Sequence, residues 1–362
     1  MNFQRPNIEK MKGYISGEQP DDPHTLKLNT NENPYPPSEK VGDVFKNFEP
    51  TSLRRYPPPT ATRFRQLAAK LHGLEVNNII ATRGGDELLR LVITTFVNPG
   101  ESIGVTNPTY SLYPVLAEIQ DCPLVEIDVT EEWGLPSNFA EKMNNSGVKL
   151  TMLVNPHSPS GSLLPLEEVS KLASQLDSLL LLDEAYIDFV KGGFDSPMLV
   201  SEHDNVIILR TLSKGYSLAG LRFGYGIAAP GLINPMLTKT KDSYNLDLLS
   251  QLVAETAITD QTSARRSWEL VIEERERLQA ELSKLGLISS ASHTNFVLVS
   301  SPIDAEQLYL RLKDRHILVR YFALPRLQDK LRITVGTRFE NDRLIAAVSE
   351  ILGLPQNGSD RN

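Results

Sequence analysis

Five short apolar runs, each followed by a turn rich in polar residues or glycine, constrain the fold of this chain most strongly. They span 78–81, 102–106, 150–154, 179–182 and 206–209, with helical stretches between them. Each run is too short for a helix and too apolar for a strand at the surface. This alternation predicts a parallel sheet with crossover helices. Because ligands of such sheets bind beyond the carboxyl ends of the strands, the five turns should converge on one crevice.

The length of the chain predicts two lobes, because 362 residues exceed the size at which a single hydrophobic core usually stops growing. We expect an arm at 1–35 that belongs to the smaller domain, a large domain at 36–250 and a smaller α+β domain at 251–362. A charged helical stretch from Gln261 to Leu285 should lead into the smaller domain, whose strands are NFVLVS, ILVRYF and LRITV. The final residues, 355–362, are predicted to be disordered.

Composition and charge argue against several classes of protein. Hydrophobic residues make up 40% of the chain, yet no apolar run is long enough to cross a bilayer. A net charge of -8 without clustered Lys and Arg disfavours a nucleic-acid-binding surface. The six histidines lack the spacing of metal ligands, so we expect no metal. A single cysteine, Cys122, and a polar amino terminus without a secretion signal favour a cytoplasmic protein.

Two of the turns carry residues suited to covalent catalysis. Lys214 ends the turn after the last apolar run, and a lysine in apolar surroundings has a lowered pKa that suits it to Schiff-base formation. Asp183 directly follows the run 179–182, where a carboxylate needs a cationic partner such as a protonated pyridine nitrogen. Tyr186 could place a phenol near the same ring. Seen singly, such a lysine is more often solvated, such an aspartate more often caps a turn, and such a tyrosine more often packs in a core.

A third turn predicts a phosphate site. Gly85 and Asp86 lie between an apolar run and the helical stretch ELLRLVITTF, and backbone N–H groups at a helix amino terminus bind phosphate. Thr211 and Arg222 could add contacts, with Arg222 donating a charge-assisted pair of hydrogen bonds. A glycine pair alone is weak support. Neither GxGxxG nor the P-loop pattern is present, which disfavours a nucleotide enzyme.

An aromatic ring and an amide complete the set. Tyr110, in NPTY, could stack on a planar heterocycle, and Asn155, in NPHSPSG, could donate to a phenolate oxygen. Each of these two residues, taken alone, is more often structural than functional. The order of all the motifs along the chain is more specific than any one of them.

Taken in order, GGDE, PTY, NPxxPxG, DEAY and SK followed by Arg222 resemble the fold-type I pyridoxal-phosphate-dependent aminotransferases. The resemblance implies an α/β fold, with a mostly parallel seven-stranded sheet between helices in the large domain. It implies that Lys214 forms the Schiff base with pyridoxal 5'-phosphate and shuttles protons, while Asp183 pairs with the ring nitrogen. The other cofactor contacts that it implies are stacking by Tyr110, bonds to O3′ from Asn155 and Tyr186, and phosphate contacts from Gly85, Asp86, Thr211, Ser213 and Arg222.

Further segments resemble one subfamily, the histidinol-phosphate aminotransferases, over nearly the whole chain. These segments include LNTNENPYPPS, RRYPPP, RTLSKGYSLAGLRFGYGIA and LRITVGTRFEND. The resemblance implies a homodimer with shared active sites, in which Tyr56 reaches the cofactor phosphate of the partner subunit. It also implies that Arg332 grips the anionic group of the substrate, with secondary contacts from Arg320 and Tyr14. The turn NPHSPSG departs from the N-P-T-G ending of many relatives but keeps its asparagine and final glycine.

The function implied by this resemblance is transamination between L-histidinol phosphate and 2-oxoglutarate, which gives imidazole acetol phosphate and L-glutamate in histidine biosynthesis. The sequence leaves open an aromatic or broad-range amino-acid aminotransferase, and also a decarboxylase of the phosphothreonine type. A protein that binds the cofactor without catalysis is disfavoured, because Lys214, Asp183, Tyr186 and Arg332 are all present. A purely structural protein would have no need to place such groups at successive strand ends.

Overall fold

The arm at the amino terminus lies against the carboxyl-terminal part of the chain. In the computed structural model, which describes residues 3–354, the arm contains helix α1 (Pro6–Lys10) and strand β1 (Leu26–Lys27). Strand β1 pairs in parallel with residues 317–318, and the backbone N–H of Thr334 donates to the carbonyl oxygen of Leu28 at 3.0 Å. The predicted disorder at 355–362 lies outside the described residues.

A seven-stranded sheet forms the centre of the large domain. Its strands are β2 (Ile79–Thr82), β3 (Ser102–Asn107), β4 (Leu124–Asp128), β5 (Val148–Val154), β6 (Leu179–Asp183), β7 (Val206–Thr211) and β8 (Gly224–Ala228). Neighbouring strands follow the order β2-β8-β7-β6-β5-β3-β4. In this sheet β8 runs in the direction opposite to the other six strands. The prediction of a mostly parallel seven-stranded sheet is confirmed. The five predicted apolar runs correspond to β2, β3, β5, β6 and β7.

Helices cover both faces of this sheet. They are α2 (Glu39–Asn47), α3 (Thr62–His72), α4 (Gly84–Phe96), α5 (Leu112–Gln120), α6 (Phe139–Asn145), α7 (Leu166–Gln175), α8 (Leu199–Glu202), α9 (Pro230–Pro235) and α10 (Leu248–Thr259). Alternate side chains of a strand point to opposite faces, so Leu181 and Ile207 belong to one buried core and Leu180 and Ile208 to another. Burial on both faces explains why the central strands read as continuous apolar runs.

Short helical turns complete the large domain. Turns of 3-10 helix lie at Pro50–Arg54, Val76–Asn78, Ile187–Phe189, Ser196–Met198 and Ala219–Leu221, and a π-helical turn lies at Met236–Thr240. Helix α10 packs on α2 and α3. The predicted domain boundary after residue 250 therefore falls inside a helix that belongs with the large domain. Because a helix packs as one body, we propose that the boundary lies at its end, near Thr259.

The smaller domain consists of a four-stranded antiparallel sheet with helices. Its elements are α11 (Gln261–Lys284), β9 (Ile288–Ser289), β10 (Phe296–Ser300), α12 (Ala305–Lys313), β11 (Ile317–Leu318), β12 (Arg320–Tyr321), β13 (Lys330–Thr334) and α13 (Arg338–Leu352). The sheet has the order β12-β13-β10-β9, while β11 pairs with β1 of the arm. Helix α11 matches the predicted charged stretch. A capping box starts α13, because Thr337 and Glu340 exchange backbone-to-side-chain hydrogen bonds.

Candidate active site

A cavity of about 450 Å³ lies beyond the carboxyl ends of the parallel strands, where the large sheet meets the arm and the smaller domain. Each of the five turns predicted to converge contributes to its wall, so that prediction is confirmed. The predicted site residues on this wall are Tyr14, Gly85, Asp86, Tyr110, Asp183, Tyr186, Thr211, Ser213, Lys214, Arg222, Arg320 and Arg332. Two predicted residues, Asn155 and Tyr56, are not part of the wall.

Lys214 reaches from the turn after β7 toward the arm. Its Nζ donates to the backbone carbonyl oxygen of Thr30 at 2.9 Å. Burial and, to a smaller extent, the Arg332 guanidinium lower the pKa of Lys214 to about 8, while the Glu32 carboxylate opposes the shift. A pKa in this range leaves a useful fraction of neutral amine near neutral pH, which is the form that attacks a carbonyl carbon.

Asp183 ends β6 at the floor of the cavity and is 4% exposed. Its Oδ2 accepts from the Tyr113 hydroxyl at 2.8 Å, and its Oδ1 accepts from the backbone N–H of Ala185 at 3.0 Å. Burial raises the pKa of Asp183 to about 6, against the opposing effect of these two hydrogen bonds. Within residues 3–354 the carboxylate pairs with no Lys or Arg side chain, so it can receive a cation from the cavity.

The amino terminus of α4 forms the anion-binding end of the cavity. Gly84 has a φ of +74°, and a Cβ at this position would lie 3.0 Å from Arg222 Nη2, so glycine leaves the space that the guanidinium needs. Arg222 donates from Nη1 to the Ala219 carbonyl oxygen at 3.1 Å and from Nη2 to Asp86 Oδ2 at 3.2 Å. The first backbone N–H groups of a helix have no partner within it, so this end of α4 can bind phosphate together with Arg222.

Two hydroxyl groups lie beside this end of the cavity. The Thr211 hydroxyl donates to Ser213 Oγ at 3.0 Å, and the Ser213 backbone N–H donates to Thr211 Oγ1 at 3.1 Å. Both residues are buried, with exposed fractions of 8% and 7%. The bonds fix the turn that leads from β7 to Lys214, and the Ser213 hydroxyl has a proton available for a phosphate oxygen.

On the side of the smaller domain, Arg332 faces the cavity, and no carboxylate among residues 3–354 pairs with it. Its Nη1 and Nη2 donate to Ser158 Oγ at 3.4 Å and to the Asn29 carbonyl oxygen at 3.3 Å, and its buried Nε has no hydrogen-bond partner among the same residues. The rings of Phe296 and Phe322 flank the guanidinium, with centroids 5.1 and 5.3 Å from Cζ. A charge held this way by neutral groups is available to an anionic ligand.

A second guanidinium, from Arg320, lies close to the first. Its Cζ is 5.3 Å from the centroid of the same Phe322 ring that Arg332 contacts. Arg320 forms no ion pair with a carboxylate among residues 3–354, and its charge lowers the pKa of Arg332 in addition to the effect of burial. Two guanidinium groups that pair with no carboxylate in the described part of the chain give this side of the cavity a positive charge that attracts anions.

The arm holds Tyr186 in place. Asn31, with a left-handed φ of 57°, donates from Nδ2 to the Tyr186 hydroxyl at 3.0 Å, and its backbone N–H donates to Thr334 Oγ1 at 3.0 Å. Asparagine tolerates this backbone conformation better than most residues. Tyr14, also from the arm, meets the ring of Tyr110 edge-on with centroids 6.2 Å apart. The arm therefore contributes directly to the cavity wall.

Asn155 and Tyr56 lie elsewhere. The Asn155 amide closes its own loop, because Nδ2 donates to the Leu164 carbonyl oxygen at 3.1 Å and Oδ1 accepts from the Leu164 N–H at 2.9 Å. The amide has a second N–H, and its contact with O3′ stays a prediction. Tyr56 is 80% exposed and stacks on Tyr244 with centroids 4.4 Å apart. Its contact with a partner subunit also stays a prediction.

Several residues that contact the site were not predicted from the sequence. They are Asn29, Asn31, Tyr113, Ser158 and Phe322. Asn29 and Asn31 lie in the irregular segment LNTNEN, where the density of asparagine was the available signal. Tyr113 lies three residues after Tyr110, and nothing local distinguishes it from a core tyrosine. Ser158 and Phe322 gain their roles from Arg332, which is far away in the sequence.

Comparisons with known proteins identify the family of this chain. The family description "Aminotransferase class I and II" matches residues 23–348. The chain is 43% identical over 353 residues to histidinol-phosphate aminotransferase 1 of Nostoc sp., covering 97% of this chain and 98% of that protein. It is 40% identical over 352 residues to histidinol-phosphate aminotransferase of Microcystis aeruginosa, covering 96% and 98% of the two chains.

A solved structure supports the same assignment. The crystal structure of histidinol-phosphate aminotransferase from Sinorhizobium meliloti, in complex with pyridoxal-5'-phosphate, superposes with a TM-score of 0.90 at 25% identity and covers 98% of each chain. Aspartate aminotransferase of Thermus thermophilus shares the fold at a TM-score of 0.79 and 20% identity. The chain therefore belongs to the class I and II aminotransferases and, within them, to the histidinol-phosphate aminotransferase family.

Proposed function

We propose that this transaminase uses pyridoxal 5'-phosphate to transfer the amino group of L-histidinol phosphate to 2-oxoglutarate, giving imidazole acetol phosphate and L-glutamate. One observation carries the choice of substrate. Arg332 and Arg320 present two guanidinium groups to the cavity, and neither has a carboxylate partner among residues 3–354. A phosphate monoester carries more charge and more acceptor oxygens than a carboxylate, so it matches a pair of guanidiniums better.

The cavity fits the proposed cofactor at three points. Asp183, a buried carboxylate that pairs with no Lys or Arg among residues 3–354, suits a protonated ring nitrogen. The amino terminus of α4 with Arg222 suits a phosphate group. Lys214, with its lowered pKa, suits covalent attachment to an aldehyde. When bound, the cofactor supplies a conjugated ring that withdraws electrons from the substrate α-carbon.

The residues around the cavity have different roles in this chemistry. Asp183 would keep a proton on the ring nitrogen of the cofactor, because a buried anion stabilises a neighbouring cation. The Nζ of Lys214 moves the proton that leaves the substrate α-carbon, acting as a general base with a pKa near the working pH. Tyr186, fixed by Asn31, and Tyr110, whose ring Tyr14 meets edge-on, would contact the cofactor ring and restrict its movement.

Recognition of both substrates uses the same cations. Histidinol phosphate has no carboxylate, so we assign its phosphate to Arg332, with Arg320 as the second contact. In the other half of the reaction the same Arg332 receives a carboxylate of 2-oxoglutarate. This dual use is consistent with the neutral partners of Arg332, since an ion pair inside the protein would have to be broken for each ligand.

We further propose a homodimer in which Tyr56 crosses to the partner's cofactor phosphate. The exposure of Tyr56, its stacking on Tyr244 and its absence from the cavity wall of its own chain support this arrangement. A cytoplasmic location is part of the proposal, supported by the free, buried thiol of Cys122. No helix within residues 3–354 has the length and apolar character needed to cross a membrane.

A second candidate is an aromatic or broad-range amino-acid aminotransferase. Phe322, Leu324 and Leu327 line the cavity on the side of Arg332, and apolar side chains there accept a phenyl ring as well as an imidazole. The two candidates differ in the anion at the end of the substrate, which is a phosphate in one and an α-carboxylate in the other.

A half-reaction separates the two candidates. The protein is purified with pyridoxal phosphate, histidinol phosphate is added without a keto acid, and the visible absorbance of the bound cofactor is followed. We expect rapid loss of the original band with histidinol phosphate and slow loss with histidinol or phenylalanine. Faster conversion with phenylalanine or tyrosine would support the second candidate, and no cofactor band at all would contradict the proposed chemistry.

A further inference from the structure

Tyr113 is fully buried behind the cavity wall and contacts two residues that face the cavity. Its hydroxyl donates to Asp183 Oδ2 at 2.8 Å. Its ring meets the Tyr110 ring edge-on, with centroids 5.6 Å apart and an angle of 81° between the planes. Tyr113 is 0% exposed and is not part of the wall, so it cannot touch a ligand there. Any influence on the chemistry must pass through Asp183 or Tyr110.

The carboxylate of Asp183 is held at both oxygens by neutral donors. One oxygen accepts from the Tyr113 phenol and the other from a backbone N–H. Neutral donors stabilise the ionised carboxylate and fix its rotamer without cancelling its charge. The other titratable groups that act on it are Asp86 from α4 and Glu184 and Tyr186 from its own segment, and none of them is a cation. The negative charge is therefore left for a cation that enters the cavity.

Burial and hydrogen bonding act on this carboxyl in opposite directions. Burial raises the pKa of Asp183 to about 6, while the hydrogen bonds from Tyr113 and Ala185 lower it. Burial also raises the pKa of Tyr113 well above its ordinary value, so the phenol keeps its proton and remains a donor. Without the phenol the effect of burial would be less opposed, and the pKa of Asp183 would rise further.

We propose that Tyr113 is a positioning residue that keeps Asp183 ionised and aimed at the ring nitrogen of the cofactor. The inference rests on the proposed function, because it requires pyridoxal phosphate in this cavity. An ionised carboxylate fixed in one rotamer holds a proton on the nitrogen, whereas a protonated or rotated carboxyl does not. Tyr113 also packs behind Tyr110, so one buried side chain supports two faces of the cofactor site.

The test measures the dissociation constant of pyridoxal phosphate from the protein at several pH values. Tyr113→Phe removes the hydroxyl and keeps the ring. The matched control is Tyr225→Phe, which removes another buried hydroxyl. That hydroxyl lies outside the cavity wall and is hydrogen-bonded to His72 Nε2 at 2.9 Å. A rise of about one unit in the pKa of Asp183 predicts about fivefold weaker binding by Tyr113→Phe at pH 6 and a difference within about twofold at pH 8.5. The control should match the unaltered protein at both pH values.

A second variant has the opposite expected sign. Placing 3-fluorotyrosine at position 113 keeps every hydrogen-bonding atom and makes the phenol a stronger donor, so it serves even if Tyr113→Phe fails to fold. We expect about twofold tighter binding at pH 5.5, because the Asp183 carboxyl then ionises at lower pH. Equal affinity of the unaltered protein and Tyr113→Phe at pH 6, or weaker binding by the fluorinated protein, would overturn the inference. Failure of the unaltered protein to bind the cofactor would instead count against the proposed function.

Discussion

The large-domain half of the cavity wall differs from the half supplied by the arm and the smaller domain in how far apart its residues lie in the sequence. Asp183 is the last residue of β6, and Lys214 lies three residues after β7. In the other half, Asn31 bonds to Thr334 and Asn29 accepts from Arg332, each across 303 residues. We infer that the large domain presents most of the groups for the cofactor, whereas the groups for the substrate come from the smaller domain and are held in part by the arm.

The two halves also differ in how they are held. The strands of the large sheet are buried on both faces, while the arm is attached through a two-residue strand, the buried side chains of Leu26 and Leu28, and hydrogen bonds from its backbone and side chains. Changes in the first half should therefore impair cofactor binding and every amino-group transfer. Changes in the second half should impair reaction with the substrate while the cofactor still binds.

The largest effect is expected from Lys214→Ala. Removal of the amine eliminates both covalent attachment and proton transfer, so turnover should fall by about 10³-fold or more. The measurement is steady-state turnover with histidinol phosphate, together with the visible spectrum. Lys191→Ala, which removes an exposed lysine paired with Glu276 at 2.8 Å, is the control and should retain normal turnover. Normal turnover by Lys214→Ala would contradict the assignment of the catalytic lysine to the large-domain half of the cavity wall.

The next effect is expected from Arg332→Gln. Loss of the charge should lower kcat/KM for histidinol phosphate by about 100-fold, because a buried guanidinium–phosphate contact is lost, while the dissociation constant of pyridoxal phosphate changes little. Arg277→Gln removes a guanidinium that is paired with Glu274 and Asp342 in the smaller domain and should leave kcat/KM near its original value. If Arg332→Gln weakened cofactor binding as much as it lowers kcat/KM, the two halves of the cavity wall would not have separate roles.

The pH dependence of cofactor capture tests the environment of Lys214. The neutral amine is the reactive form, and burial lowers the pKa of Lys214 to about 8. The rate of covalent capture of pyridoxal phosphate should therefore rise about tenfold between pH 7 and pH 9 and then level off. A stopped-flow absorbance series measures this directly. A rate that continues to rise steeply beyond pH 10 would mean that the amine is solvated, with an ordinary pKa.

The smallest effect is expected from Asn31→Ala, which removes the bond from the arm to Tyr186. A buried hydrogen bond of this kind contributes about 1 kcal/mol, so kcat/KM should fall about fivefold. Because Asn31 acts through Tyr186, which also faces the proposed cofactor, the affinity for the cofactor should fall too, but by less than kcat/KM. Thermal unfolding of the protein with bound cofactor serves as the control for overall stability. If the affinity for the cofactor falls as much as kcat/KM, the arm is as important for binding the cofactor as for reaction with the substrate.

The same difference explains how much could be predicted from the sequence. The sheet, the five converging turns and the positions of Lys214, Asp183 and Arg222 follow from short apolar runs and the residues next to them, which are local signals. The contacts of Tyr113 and Asn31 depend on packing between segments distant in the sequence, and no local pattern marks them. Asn155 shows a further limit, since its amide closes a loop onto Leu164, a contact that the motif does not reveal.

Reduction of the holoprotein with borohydride, followed by peptide mapping, tests whether Lys214 is the lysine that binds the cofactor covalently. Reduction makes the link between the cofactor and its lysine permanent, so mass spectrometry identifies the attached residue. We expect a single labelled peptide that carries the modification on Lys214, at the strand-end turn of the large-domain half. A label on Lys27, the arm lysine that bonds to Glu32 at 2.6 Å, would place the covalent group in the other half and rule out Lys214 as the Schiff-base lysine.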